Sequence, residues 1–417
     1  MKNRVRPYAW GSRTAIASLL GEPAPSSEPQ AELWIGAHPA DSSVLVGSSG
    51  ERALLDAIVD DPDGTLGPEV AREFAGSLPF LLKLLAADSP LSLQAHPTME
   101  QARVGFAAEQ AAGVPLDAPF RNYKDRSHKP ELMYAITPFE ALCGFRPTDV
   151  TVRLLDALAA AELGEIRSAL VDRPGEPGLR QVVTGLLDAD RATIAPLVDA
   201  VAAACRGRVG DPGPFAPEFA MATRVADHYP GDPGVLIALL MNRIDLAPGE
   251  AVYLPAGNMH AYLSGFGVEI MASSDNVLRG GLTPKHVDVA ELSAVVTFAP
   301  DEPMLVPAVP VAPGEHAFRT PSTEFELSRI QLSSTGHILE HDGPQILLAV
   351  QGRVTVTDAR GGRLVIEPGH SVFLPARQGS VWLEGTGTVF RAKDGLPHRN
   401  ATAPAMGAVT RTLSLAS

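Results

Sequence analysis

Between residues 148 and 241 apolar side chains recur at helical spacing. Val182, Val183, Leu186 and Leu187 form one stripe, Ile194, Leu197, Val198 and Val201 a second, and Met221, Val225 and Tyr229 continue at i, i+4, i+8. Pro174, Gly175, Pro177, Pro212 and Pro214 punctuate the run, so it predicts several short helices with a shared apolar core. Elsewhere the rhythm shortens. Gln345-Ile-Leu-Leu-Ala-Val-Gln-Gly352 and Arg353-Val-Thr-Val-Thr357 predict strands, and Leu91-Ser-Leu-Gln-Ala-His96-Pro97 predicts a short strand that its proline ends. Thr98 with Gln101 then has the form of a capping box opening a helix.

One pattern occurs twice. Leu246-Ala-Pro-Gly-Glu-Ala-Val-Tyr-Leu-Pro-Ala256 returns as Ile366-Glu-Pro-Gly-His-Ser-Val-Phe-Leu-Pro-Ala376, 120 residues later. Each copy is a Pro-Gly turn feeding a short strand. Domain-sized spacing implies two related barrels rather than a solenoid, and the pattern resembles the cupin barrel, a small jelly roll. The fold class expected is mainly β, two barrels with an inserted α-helical domain. The first barrel is discontinuous, 1–147 and 242–300, with the helices at 148–241. A proline-marked linker at 301–315 leads to a second barrel at 316–417.

Composition narrows the function. The 417 residues carry 48 acidic and 34 basic side chains, a net charge of −14, which excludes a nucleic-acid partner that needs a basic face. An anionic small molecule remains compatible if positive charge is concentrated locally. The two cysteines, Cys143 and Cys205, make neither a disulfide framework nor a four-thiolate metal site. No secretory leader and no membrane span is evident, so a cytoplasmic protein is expected. Without a heptad or an apolar seam, a monomer is expected.

Candidate chemistry lies in three places. Gln94 and His96 are two apart, on one face of a strand. Tyr123-Lys-Asp-Arg-Ser-His-Lys-Pro-Glu131 packs four charged residues and a histidine before Glu131, and places Lys129 and Glu131 on one side. His260 follows the first repeat. Two histidines, a carboxylate and a neutral amide suit zinc with an open position for water, although His and Glu also suit Fe(II). The second repeat has Ser380 where the first has His260, and it lacks a Gln-x-His segment, so its barrel reads as metal-free. Only six lysines occur among 34 basic residues, and four of them (Lys83, Lys124, Lys129 and Lys285) lie in or near these segments. The stretch from Asn258 to Lys285 gathers His260, Tyr262, Glu269, Asp275, Asn276, Arg279 and Lys285 among small residues. His337-Ile-Leu-Glu-His341 has the H-x-x-E-H form of a zinc protease, which needs a helix that this segment does not suggest.

These segments resemble type I phosphomannose isomerases over nearly the whole chain: Pro7-Tyr-Ala-Trp-Gly-Ser12, Glu32-Leu-Trp-Ile-Gly-Ala-His-Pro39, Ser92 to Pro97, Tyr123 to Glu131, and His260 to Lys285. Ser127 and Gly280 depart from the family pattern at positions without a chemical role. The resemblance implies one Zn2+ held by Gln94, His96, Glu131 and His260. It also implies interconversion of a hexose 6-phosphate pair, mannose and fructose, through a cis-enediolate. By the same resemblance Arg279 is catalytic, Tyr262, Glu269, Asp275, Lys129 and Lys285 line the pocket, and Lys83 and Ser92 contact phosphate. The proton-abstracting base stays open among a zinc-bound water, Glu269 and a lysine–aspartate pair. His38 reads as structural and His128 as a support that orients Glu131 or its neighbours. The competing classes are a cupin oxygenase using Fe(II) and a non-catalytic sugar- or metal-binding cupin. Neither calls for Arg279, Lys129 and Lys285 around one metal.

Overall fold

The computed structural model describes residues 1–47, 50–333, 336–340 and 342–397. Its first barrel is built around six strands that carry the chemistry: β1 (Phe80–Ala87), β2 (Gln94–Ala95), β3 (Glu131–Ala135), β4 (Phe139–Phe145), β5 (His260–Ala272) and β6 (Leu278–Arg279). β5 belongs to both walls. Its second half pairs antiparallel with β1 and β3, and its first half pairs with β4 and β2. The change of wall falls at a register shift between Tyr262 and Ser264. Gly265 follows with φ +126°, and a Cβ there would meet Phe139 Cδ2 at 2.6 Å, so only glycine lets the strand turn this corner.

Alternation then divides each strand between two environments. Leu85, Ala87, Met133, Ala135, Phe139, Ala141 and Cys143 point into the barrel and close one end of it as an apolar core with Tyr262. Lys83, Glu131, Glu269 and His260 fall on the same inward parity toward the other end. The opposite face of β1, β3 and β5 presents Phe80, Leu82, Leu84, Leu132, Val268 and Ile270. It packs against Phe318, Phe325, Leu327, Ile346, Leu348 and Phe390 of the second barrel. Both faces of this wall are therefore buried, which is why β1 reads as an unbroken apolar run apart from its lysine.

Residues 148–241 fold as helices, among them Thr148–Leu158, Glu176–Asp188, Arg191–Gly207 and Ala216–His228. Their stripes meet in one core that includes Val183, Leu186, Ile194, Val198, Val201, Met221 and Val225, continuous with Leu93 and Ala95 beside β2. Tyr229 also donates its hydroxyl to the Pro90 carbonyl at 2.7 Å, tying the helices to the approach of β2. No helix among the described residues is long and apolar enough to cross a membrane.

The second barrel contains β7 (Glu315–Phe318), β8 (Glu326–Leu332), β9 (Gln345–Asp358) and β10 (Val381–Lys393). The repeated turns lead into matching strands, Ala251–Leu254 and Ser371–Leu374, each after a left-handed glycine, Gly249 (φ +101°) and Gly369 (φ +80°). The 301–315 segment, read from sequence as a linker, carries two short strands. Met304–Leu305 pairs with Val252 and Tyr253 of the first barrel, and Val309–Ala312 pairs with β7. Its prolines alternate with residues that still close a ladder at a sheet edge. His337 of the H-x-x-E-H run lies on a strand, and His341 lies outside the described residues.

Candidate metal centre

β2 is the narrow strip on which the site is assembled. Gln94 stands opposite His260 of β5 on one side and opposite Arg279 of β6 on the other. His96 follows two positions later, and Glu131 opens β3 across the barrel. His96, Glu131 and His260 are all buried, and one ligand atom of each lies within 4.8 Å of the others. His96 Nε2 is 3.4 Å and His260 Nε2 is 3.3 Å from the Glu131 carboxylate, which is 1% exposed. Even so, both Nε2 atoms and Glu131 Oε2 lack a hydrogen-bond partner.

The other imidazole nitrogens are committed. His96 Nδ1 meets the Asn276 carbonyl at 2.7 Å and His260 Nδ1 meets the Asn258 carbonyl at 3.0 Å. A carbonyl only accepts, so each Nδ1 carries the hydrogen and each Nε2 turns a lone pair inward. Two imidazole lone pairs and a carboxylate converging in a water-poor space is the donor set of a divalent metal. Burial first, then the Lys129 charge, pushes the His96 imidazole down to about 4 and keeps it a neutral donor. Burial would raise the Glu131 carboxyl, but Lys129, with Nζ at 3.2 Å, and then His96 outweigh it and hold it well below the usual range.

Beneath this centre lies a second buried cluster. Glu269 accepts from Lys83 Nζ at 2.9 Å on one oxygen and from the Tyr262 hydroxyl at 2.9 Å on the other. Lys83 also reaches Glu32 at 3.5 Å, and Glu32 accepts from Trp34 Nε1 at 2.7 Å. Burial would lower the Lys83 ammonium, yet Glu269, Glu32 and Glu131 together raise it, so it stays charged. Lys83, expected as a phosphate contact, is 5% exposed and pairs with two carboxylates.

Positive charge is left over at the opening instead. Arg279, half-buried on β6, has no hydrogen-bond or ion-pair partner among the described residues, and burial alone lowers its guanidinium. The exposed Lys285 ammonium is lowered by burial, then by Arg279 and Lys124, so the three cations share one region. Lys124 was in view in the sequence only as part of a charged cluster; folding brings it near Lys285. Ser92 is half-buried in the loop before β2, and no side-chain hydrogen bond engages it.

Asn276, fully buried, joins the parts. Its side chain accepts from the amides of Lys124 at 2.7 Å and Asp125 at 3.2 Å, and donates to the carbonyls of Asp125 at 2.9 Å and Ser127 at 2.8 Å, while its own carbonyl holds His96. Asp275, next in line, keeps its side chain 44% exposed, with His38 Nε2 at 3.4 Å. His38, read from sequence as structural, thus reaches the rim of the site. His128 faces away from the metal ligands toward the second barrel, with Nε2 2.6 Å from Glu324.

Comparison with known proteins follows the same outline. Residues 1–148 match the description "Phosphomannose isomerase type I, catalytic domain", and residues 314–393 match "Mannose-6-phosphate isomerase, cupin domain". The chain is 40% identical over 396 residues to mannose-6-phosphate isomerase of Salmonella typhimurium, covering 94% of this chain and 99% of the relative. It is 33% identical over 406 residues to the Bos taurus enzyme of that name, covering 89% and 93%. A crystal structure of zinc-bound mannose 6-phosphate isomerase superposes with a TM-score of 0.86 at 38% identity, covering 94% of this chain and 98% of the other.

Proposed function

The chain belongs to the type I phosphomannose isomerase family, and on that premise we propose that it interconverts mannose 6-phosphate and fructose 6-phosphate at one zinc ion held by Gln94, His96, Glu131 and His260. The observation that carries this reading is the set of unpartnered buried donors, His96 Nε2, His260 Nε2 and Glu131 Oε2, turned toward one point. Bound there, zinc supplies a Lewis acid that polarises a sugar oxygen and favours negative charge on it.

The chain's own residues account for the rest. The phosphate is held at the opening by Arg279, Lys285 and Lys124, none of which has a carboxylate ion-pair partner among the described residues. Arg279, opposite Gln94 in the ladder, also faces the oxygens of the opened sugar and favours the cis-enediolate as charge develops. The reaction moves one proton from C2 to C1 and its partner between the two oxygens. Glu269 is a poor base for this, because Lys83 and Tyr262 occupy both of its oxygens. Asp275 is the accessible carboxylate of the site, and His38 at 3.4 Å can take up and return the proton. Lys129 keeps Glu131 ionised, and Asn276 keeps the His96 tautomer.

The test is interconversion of the two sugar phosphates with zinc content measured in parallel. Chelation is expected to abolish turnover and zinc to restore it, and His260→Ala is expected to lose both the metal and at least about a hundredfold in activity. Turnover unaffected by chelation, in protein shown to be free of metal, would sink the reading.

A further inference from the structure

The second barrel has a polar mouth that the isomerase site does not use. One end of its interior is filled by Ile330, Leu347, Ala349, Leu383 and Val389. Toward the other end the inward positions of the same strands turn charged. Glu315 of β7, Glu326 of β8 with Lys393 opposite it, and Arg391 two positions before Lys393 line a cavity of about 370 Å3 with Arg319. A packed apolar end would satisfy the barrel at least as well, because a buried ion pair is often no more stabilising than hydrophobic side chains of similar volume.

The cavity wall is built in two tiers. Deep inside, Glu315, 3% exposed, takes Arg391 Nη1 at 3.1 Å on one oxygen and His337 Nε2 at 3.0 Å on the other. Arg391 Nε donates to Gln345 at 2.7 Å and its Nη2 to the Glu340 carbonyl at 3.0 Å, which fixes the guanidinium plane. Nearer solvent, Lys393 at 3.1 Å and Arg319 at 3.4 Å share the single carboxylate of Glu326. Three cations thus line the cavity with three carboxylates, Glu315 deep inside, Glu326 nearer solvent and Glu340 on the exposed rim. In a chain of net charge −14 this concave space gathers three cations, two of which share one carboxylate.

We propose that this mouth is a second ligand site, separate from the metal centre, for a small anion that also bears hydroxyl groups, with the chemistry and size of a sugar phosphate. Arg319 and Lys393, sharing one partner, supply the unspent donors for the anionic group, and the Glu326 and Glu340 carboxylates at the mouth accept from hydroxyls.

Ile338 lines the same cavity and gives a reporter outside the catalytic domain. With isoleucine methyl labels in the zinc-loaded protein, and Ile338→Val to assign the signal, inorganic phosphate is expected to shift the Ile338 resonance saturably. In the Arg319→Met/Lys393→Met variant that shift is expected to weaken about tenfold or more, while kcat and KM for mannose 6-phosphate stay within about twofold. A resonance that never moves, or moves equally in the variant, overturns the site. Glucose 6-phosphate is then expected to bind this mouth at least about fivefold more tightly than phosphate; equal affinities would overturn the hydroxyl half of the assignment.

Discussion

Lys83 lies between Glu269 and Glu32 with almost no surface open to water, and Tyr262 and Trp34 complete the cluster. Such a group is stable only while its charges are matched. Lys83→Met is expected to leave two buried carboxylates unpaired and to cost about 3–5 kcal/mol, read from the denaturant midpoint of the metal-loaded protein. Its effect on turnover would then arise through Glu269 and Tyr262, which it positions, not through contact with substrate. A second residue-scale effect concerns His96. Its folded value, about 4, lies below the ordinary 6.5, so between these pH values the unfolded chain binds the proton more readily. Stability of the apoprotein is therefore expected to be full above about 6.5 and to fall by up to a few kcal/mol toward about 4, measured by thermal or denaturant unfolding across that range.

At the scale of elements, β2 and β6 are only two residues each, yet together they set Gln94 between His260 and Arg279. Precision in so short a ladder comes from its neighbours: β5 is anchored along its length by β1, β3 and β4, and the helical core closes over Leu93, Ala95 and Leu278. The guanidinium of Arg279 is consequently held at a defined depth. Arg279→Met is expected to lower kcat by about 10²–10³-fold with zinc content unchanged, and Arg279→Lys to recover only part of the loss because the planar fork is gone. Steady-state kinetics with metal analysis separate this from a ligand defect. Equal activity of the methionine variant and the wild type would remove Arg279 from the mechanism.

For the molecule as a whole, the wall of β1, β3 and β5 is buried on both faces, one in the site and one in the second barrel, and Glu324 fastens the Tyr123–Glu131 loop from the far side through His128. The catalytic strand order is thereby clamped between two bodies. Electrostatics also act at this scale. A net charge of −14 repels a sugar phosphate, and on the proposed reading Arg279, Lys285 and Lys124 attract it at the opening. These cations are partly exposed, so KM for mannose 6-phosphate is expected to rise as sodium chloride is raised from about 0.05 to 0.5 M, with kcat changing much less. A KM independent of salt would remove the exposed cations from phosphate binding.

The candidate metal ligands were legible because their signals are local: Gln94 and His96 share a face by strand parity, and His260 was set apart by the repeat that carries serine at the equivalent place. The helical stripes were legible for the same reason, since periodicity needs only neighbours in the chain. The ion pairs of Lys83 were not legible, because nothing near it in sequence announces Glu32 and Glu269, 51 positions before and 186 after. His38 beside Asp275, Lys124 near Lys285, and the strands within 301–315 are likewise products of long-range pairing. The sequence by itself determined which residues could bind metal, where the helical insert lies between 148 and 241, and where positive charge is available. Only the tertiary structure decided which charges neutralise each other and which remain free, because that depends on distance and burial across strands far apart in the chain.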